Sequence, residues 1–86
     1  MNTFPLKISS PEGDIFDDSV TKISLRGVEG ELCIMAGHIP FVTPVKACDC
    51  KIELLDGTEM TGRTEGGILT VSKESTLFLS GSFQWK

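Results

Sequence analysis

Val20-Thr21-Lys22-Ile23-Ser24-Leu25-Arg26 is the run that decides the fold class. Ile23 and Leu25 alternate with Lys22, Ser24 and Arg26. A period of two puts apolar side chains on one face of an extended strand and polar ones on the other. Outward from this run the pattern recurs. Leu6 and Ile8 alternate with Lys7 and Ser9, Ile52 and Leu54 with Lys51 and Glu53, and Leu77 and Leu79 flank Phe78. The helical spacing of three and four is almost absent. Turn signals separate the runs: Pro11-Glu12-Gly13-Asp14, Asp56-Gly57 and Lys73-Glu74-Ser75, while Gly66-Gly67 opens the apolar run Ile68–Val71. The Asp-Gly pair predicts a two-residue hairpin turn. Short strands spaced about 8–12 residues apart point to an all-β sandwich or barrel.

The stretch after the opening run, Gly27-Val28-Glu29-Gly30-Glu31-Leu32-Cys33-Ile34-Met35-Ala36-Gly37-His38-Ile39-Pro40-Phe41, holds three glycines and a proline around the one histidine of the chain. Glycine is kept where a chain turns sharply or is closely approached, and Pro40 biases Ile39 toward extended backbone. The stretch is expected to be a shaped surface loop between strands, presenting polar groups to a partner.

With 86 residues, 40% hydrophobic and 23% charged, the chain is expected to be one domain over residues 1–86 and not disordered. A formal net charge of −4 with eight scattered basic residues argues against a nucleic-acid partner. There is no apolar stretch long enough for a membrane helix and no signal-peptide pattern, so membrane association is expected only through another protein. Three cysteines, an odd number, fit a reducing compartment better than a disulfide scaffold. Cys48 and Cys50 share a strand face, a spacing that strains a disulfide, so free thiols are expected.

Taken in order, Leu6-Lys7-Ile8-Ser9-Ser10-Pro11-Glu12-Gly13, Phe16, Val20–Leu25, the string Gly27-x-x-Gly30-Glu31-Leu32-x-Ile34-x-x-Gly37-His38-x-Pro40, Gly66–Val71 and Ser75–Ser80 resemble the N-terminal domain of the epsilon subunit of F-type ATP synthases. The resemblance covers essentially all 86 residues. It implies a flattened β-sandwich of about ten short strands that performs no chemistry and binds no cofactor. It implies partners in the central stalk: the gamma subunit, the c-ring of the membrane sector and other ATP synthase subunits. Contact with the membrane would be indirect, through the c-ring, on the cytoplasmic side of a bacterial inner membrane. There the domain would help couple ion-driven rotation to ATP synthesis. Family members continue into two C-terminal helices that inhibit hydrolysis or bind ATP. This chain ends at Trp85-Lys86, so neither role is assigned, and Gly81–Lys86 is unlike the usual family linker, which favours a naturally short chain. Cys33 stands where glycine is usual, Ala36 where proline is common and Glu65 where serine is usual, departures that bear on loop shape.

The resemblance assigns individual residues. Glu31, and with it Glu29, falls in the part turned toward the c-ring, where a rim carboxylate supplies steering and specificity. His38, Ser10 and Thr43 fall at the gamma interface. As plain residues, the two hydroxyls would satisfy backbone groups at strand ends and the two carboxylates would be solvated loop charges. Of Ile39 and Val42, one facing outward would add an apolar centre to the gamma contact. Phe83 and Trp85 would either fold back on the sandwich or lie exposed. Cys33, His38, Cys48 and Cys50 are zinc-ligand types, but their spacing matches no finger or ribbon and no metal is expected. There is no phosphate-binding Gly-x-x-x-x-Gly-Lys-Ser/Thr string, nucleophile elbow or His-Glu-x-x-His pair. The competing reading is a stand-alone β-sandwich module for protein interaction.

Overall fold

The computed structural model describes residues 2–37 and 39–86. The described residues form ten strands and no helix: β1 (Phe4–Ser10), β2 (Gly13–Val20), β3 (Lys22–Gly27), β4 (Gly30–Met35), β5 (Phe41–Val45), β6 (Cys48–Glu53), β7 (Glu59–Thr64), β8 (Gly67–Val71), β9 (Thr76–Ser80) and β10 (Phe83–Trp85). They join in one ladder of order β10-β7-β6-β3-β5-β8-β9-β1-β2, with β4 on β3. All pairs are antiparallel except β1 and β9. That parallel pair joins the two ends of the chain, which a hairpin cannot do.

The alternation read from sequence is the burial pattern except in β9, where Phe78 and not its flanking leucines points inward. Leu6 and Ile8, Ile23 and Leu25, Ile34, Cys50 and Ile52, Leu69 and Val71, and Phe78 point into one core. Each such side chain contributes about 1.5–3 kcal/mol of burial. The ladder curls on itself and encloses this core as a sandwich that is nearly a barrel, with extents of 30 × 25 × 22 Å, so the flattening is slight. Its two ends, β10 and β2, meet through side chains: Phe16 and Trp85 pack edge to face with centroids 6.0 Å apart. Phe83 packs edge to face against Trp85 at 4.9 Å, so the C-terminal aromatics do fold back on the sandwich.

The backbone corrects two expectations and adds a strand the alternation does not announce. Within the stretch 27–41, Gly27–Met35 is a hairpin and not a loop. Gly27 and Gly30 pair across a two-residue turn at Val28-Glu29, and Gly30–Met35 returns as β4 with Ile34 buried. Gly30 takes φ +128, a conformation open to glycine. Gly27 and Gly30 therefore bound a hairpin, not an irregular segment. Secondly, β2 has no apolar alternation to announce it, because it is an edge strand held by β1 and only half-buried at Ile15 and Phe16. Thirdly, Asp56 keeps a negative φ. Gly57 alone turns left-handed, at +90, in a three-residue loop closed by Leu54 and Thr58. The Asp56 carboxylate accepts the Thr58 N–H at 2.8 Å, which favours that longer loop over the two-residue turn.

Cys48 and Cys50 face the core as free thiols, and Cys33 lies exposed on β4. The Arg26 N–H donates to Cys48 Sγ at 3.3 Å.

Candidate functional site

Cross-strand register determines what the outer face of the second half of the ladder presents. Directly paired residues share a face. One row runs Val42–Thr70–Leu77–Lys7–Asp17 across β5, β8, β9, β1 and β2, and the next runs Pro44–Ile68–Leu79–Ser9–Asp14. Both rows point away from the core, since Thr43, Leu69, Phe78 and Ile8 between them form an inward row. Val42 is 66% exposed, Leu79 49% and Ile68 42%, with Pro44 beside them. Large apolar side chains left contiguous in water mark a contact surface. At its polar end Lys7 Nζ lies 3.3 Å from Asp14, and Ser9 Oγ donates to the same carboxylate at 2.8 Å. The Ser9 hydrogen bond, then Lys7, lowers the Asp14 pKa.

The expected gamma-contact residues take different places. Ser10 is half-buried at the end of β1, where its hydroxyl accepts the Glu12 N–H at 3.2 Å and donates to Gly13 O at 3.4 Å. Thr43 sits on the inward row, half-buried, and its Oγ1 donates to Pro44 O at 3.3 Å. Both hydroxyls thus hold local backbone. His38 lies outside the described residues. Ile39 and Val42 are both exposed, where one of the two was expected to face outward. Pro44, Ile68 and Leu79 went unnoticed in the sequence. Their signal was the alternation in Phe41–Val45 and Ile68–Val71, but only the pairing of β5 with β8 and β9 shows that they meet.

The expected ring-contact residues gather at the β3–β4 hairpin. Glu29 sits in its turn beside the exposed Val28, and Glu31 lies opposite Arg26. The Arg26–Glu31 ion pair is 3.7 Å long with both side chains exposed, a geometry that contributes little to stability. Glu31 is therefore available to a partner. Behind the hairpin, the outer face of β4-β3-β6-β7 is a shallow groove of about 790 Å³ in which Lys22, Arg26 and Lys51 alternate with Glu31, Glu53 and Glu59. Cys33 points outward while Cys48 and Cys50 point into the core, so the three thiols do not converge on one metal position. Burial, with Cys48 as a secondary cause, pushes the Cys50 thiol up to about 12, which makes it a poor ligand and nucleophile.

Residues 3–86 match the family described as ATP synthase, Delta/Epsilon chain, beta-sandwich domain. The chain belongs to this family. The "ATP synthase epsilon chain, sodium ion specific" of Acetobacterium woodii is 39% identical over 83 residues, which are 96% of this chain and 62% of that relative. The ATP synthase epsilon chain of Caldicellulosiruptor saccharolyticus is 36% identical over 85 residues, covering 99% of this chain and 61% of the relative. The chain thus spans about three fifths of the length of these epsilon relatives. Among solved structures, a chain of the Euglena gracilis mitochondrial ATP synthase OSCP/F1/c-ring assembly superposes with a TM-score of 0.91 at 20% identity, over 96% of this chain and 53% of that one. A chain of the Tetrahymena thermophila mitochondrial ATP synthase central stalk and c-ring gives 0.77 at 14% identity, over 95% and 66%. These two likenesses bear on the fold, and they agree with the delta/epsilon sandwich described above. For a delta/epsilon sandwich, the apolar rows on β5, β8 and β9 and the carboxylates of the β3–β4 hairpin are the two surfaces with the chemistry of docking sites.

Proposed function

We propose that this chain is the epsilon-type sandwich of an F-type ATP synthase central stalk, a non-catalytic part that couples ion-driven rotation to ATP synthesis. Its outer β5-β8-β9 face grips the gamma subunit. The turn of the β3–β4 hairpin, with Glu29 and Glu31, rests on the polar loops of the c-ring, at the cytoplasmic side of a bacterial inner membrane. Membership of the delta/epsilon family supports the assembly. The observation that carries the gamma contact is the pair of exposed apolar rows centred on Val42, Pro44, Ile68 and Leu79. An apolar centre with a polar rim is the anatomy of a specific protein interface. On this reading Ser10 and Thr43 shape the backbone beside the contact, and the family resemblance alone assigns His38 to it.

The test is native mass spectrometry and size exclusion of the chain mixed with its cognate gamma subunit. A one-to-one complex is expected, and Ile68→Asp is expected to weaken it by at least about 2 kcal/mol, as for a truncated or desolvated-charge hot spot. The absence of a complex with folded wild-type chain would overturn the reading.

A further inference from the structure

The negative charge of this chain is concentrated beside the apolar face. Glu12, Asp14, Asp17 and Asp18 face one base, Lys7, within β1, β2 and their turn, so three of the four units of net charge lie in residues 4–20. Elsewhere acids and bases nearly balance. Asp14 and Asp17 end the same two outward rows that begin at Pro44 and Val42. Asp14 is satisfied by Lys7 and Ser9, whereas the Asp17 carboxylate has no ion-pair partner among the described residues. The docking face is therefore polarised: apolar over β5, β8 and β9, and acidic along β2.

We infer that β2 is an electrostatic guide for the apolar face, and that the surface docking there is apolar at its centre and basic on the side that meets Asp17; Asp18, paired with the inward Leu6, lies on the opposite side of this exposed edge strand and adds only to its field. This deepens the gamma-subunit reading and rests on it. The occupant is the gamma subunit, and the added claim is that a Lys/Arg patch on gamma lies over β2. A charged rim changes the association rate and its salt dependence more than the dissociation rate, and opposite fields raise the encounter rate at low ionic strength. Such a rim also breaks the two-way ambiguity of a small apolar strip and sets the direction in which the partner lies.

Charge on an edge strand has another use, since it blocks pairing with a second chain. Reversal separates the two, because lysine protects an edge as well as aspartate does. The experiment measures association of the cognate gamma subunit with wild-type chain, Asp17→Lys/Asp18→Lys and Ile68→Asp at low and high salt. Melting temperature serves as the control for folding. The double reversal is expected to slow association about fivefold or more at low salt, to leave dissociation nearly unchanged, and to approach wild type at high salt. An unchanged or faster rate overturns the guide. If Ile68→Asp loses binding while the reversal associates normally, the guide falls and the gamma reading stands. If wild-type chain does not bind gamma, both fall.

Discussion

Cys50 shows how one residue's surroundings set its chemistry. It lies on β6, fully buried beside Ile23 and Ile52 in the core cluster, where a thiolate would have no solvent. Its folded pKa is pushed up to about 12 from an ordinary 9.0. The unfolded chain therefore loses this proton first, and stability that is intact below pH 9 declines as pH rises from 9 toward about 12. Urea denaturation of wild type against Cys50→Ala should show that decline in wild type and less of it in the variant. Thiol-reagent titration of the folded chain near neutral pH should label Cys33 and spare Cys50. Gly67 is constrained by space instead. A Cβ there would overlap the backbone carbonyl of Leu79 on the neighbouring strand, which cannot swing aside. Gly67→Ala is expected to cost about 1–3 kcal/mol by overpacking, read as a lowered urea midpoint. The Gly66-Gly67 pair was legible as a turn signal, but the close approach of β9 that requires Gly67 was not, because it depends on a strand nine residues later.

At the scale of elements, the final strand acts as a clasp. β10 pairs with β7, and the Phe83 ring occupies the space over Gly62 that any larger residue would fill. The Lys86 N–H donates to Thr61 O at 2.9 Å, and Lys86 Nζ reaches Asp49 at the same distance. Trp85 then touches Phe16 of β2, closing the seam with rings where the ladder has no backbone hydrogen bonds. Phe16→Ala is expected to shift the emission of Trp85, the single tryptophan, to longer wavelength. It should lower stability by about 0.5–1.5 kcal/mol beyond the lost burial. A blue-shifted or unchanged emission would mean that the seam is held by other contacts. The edge strand β2 shows the opposite limit of sequence reading. Its segment Asp14-Ile15-Phe16-Asp17-Asp18 has neither period, yet pairing with β1 over seven positions makes it a strand. The β4 segment was hidden in another way: its flanking glycines were weighed more heavily than the inward Leu32 and Ile34.

For the whole molecule, stability and docking draw on different residues. Phe78, Leu69 and Ile8 hold the sandwich from within, whereas Ile68 and Leu79, their immediate neighbours in sequence, stay in water. Ile68→Asp should therefore leave the isolated chain within about 0.5 kcal/mol of wild type, as for an exposed substitution, while weakening the gamma complex. A large fall in melting temperature would place Ile68 in the fold and not at the interface. The same separation explains why the rim charges of β2 and of the β3–β4 hairpin can vary without cost to the core: all lie on exposed edges or turns.

The sequence by itself determined the all-β class, the inward residues of β1, β3 and β6, and the family, because alternation and turn chemistry act between near neighbours along the chain. It also placed Glu29 and Glu31 together, since they are two residues apart in the chain. Only the tertiary structure decided that β2 and β4 are strands, that the sandwich closes through Phe16 and Trp85, and that Val42, Pro44, Ile68 and Leu79 form one surface beside an acidic edge. The closure and the shared surface rest on contacts between residues distant in the chain, while β2 and β4 become strands by pairing along their neighbours β1 and β3. Alternation says that one side of a strand is wet, while the register of its neighbours says what shares that side.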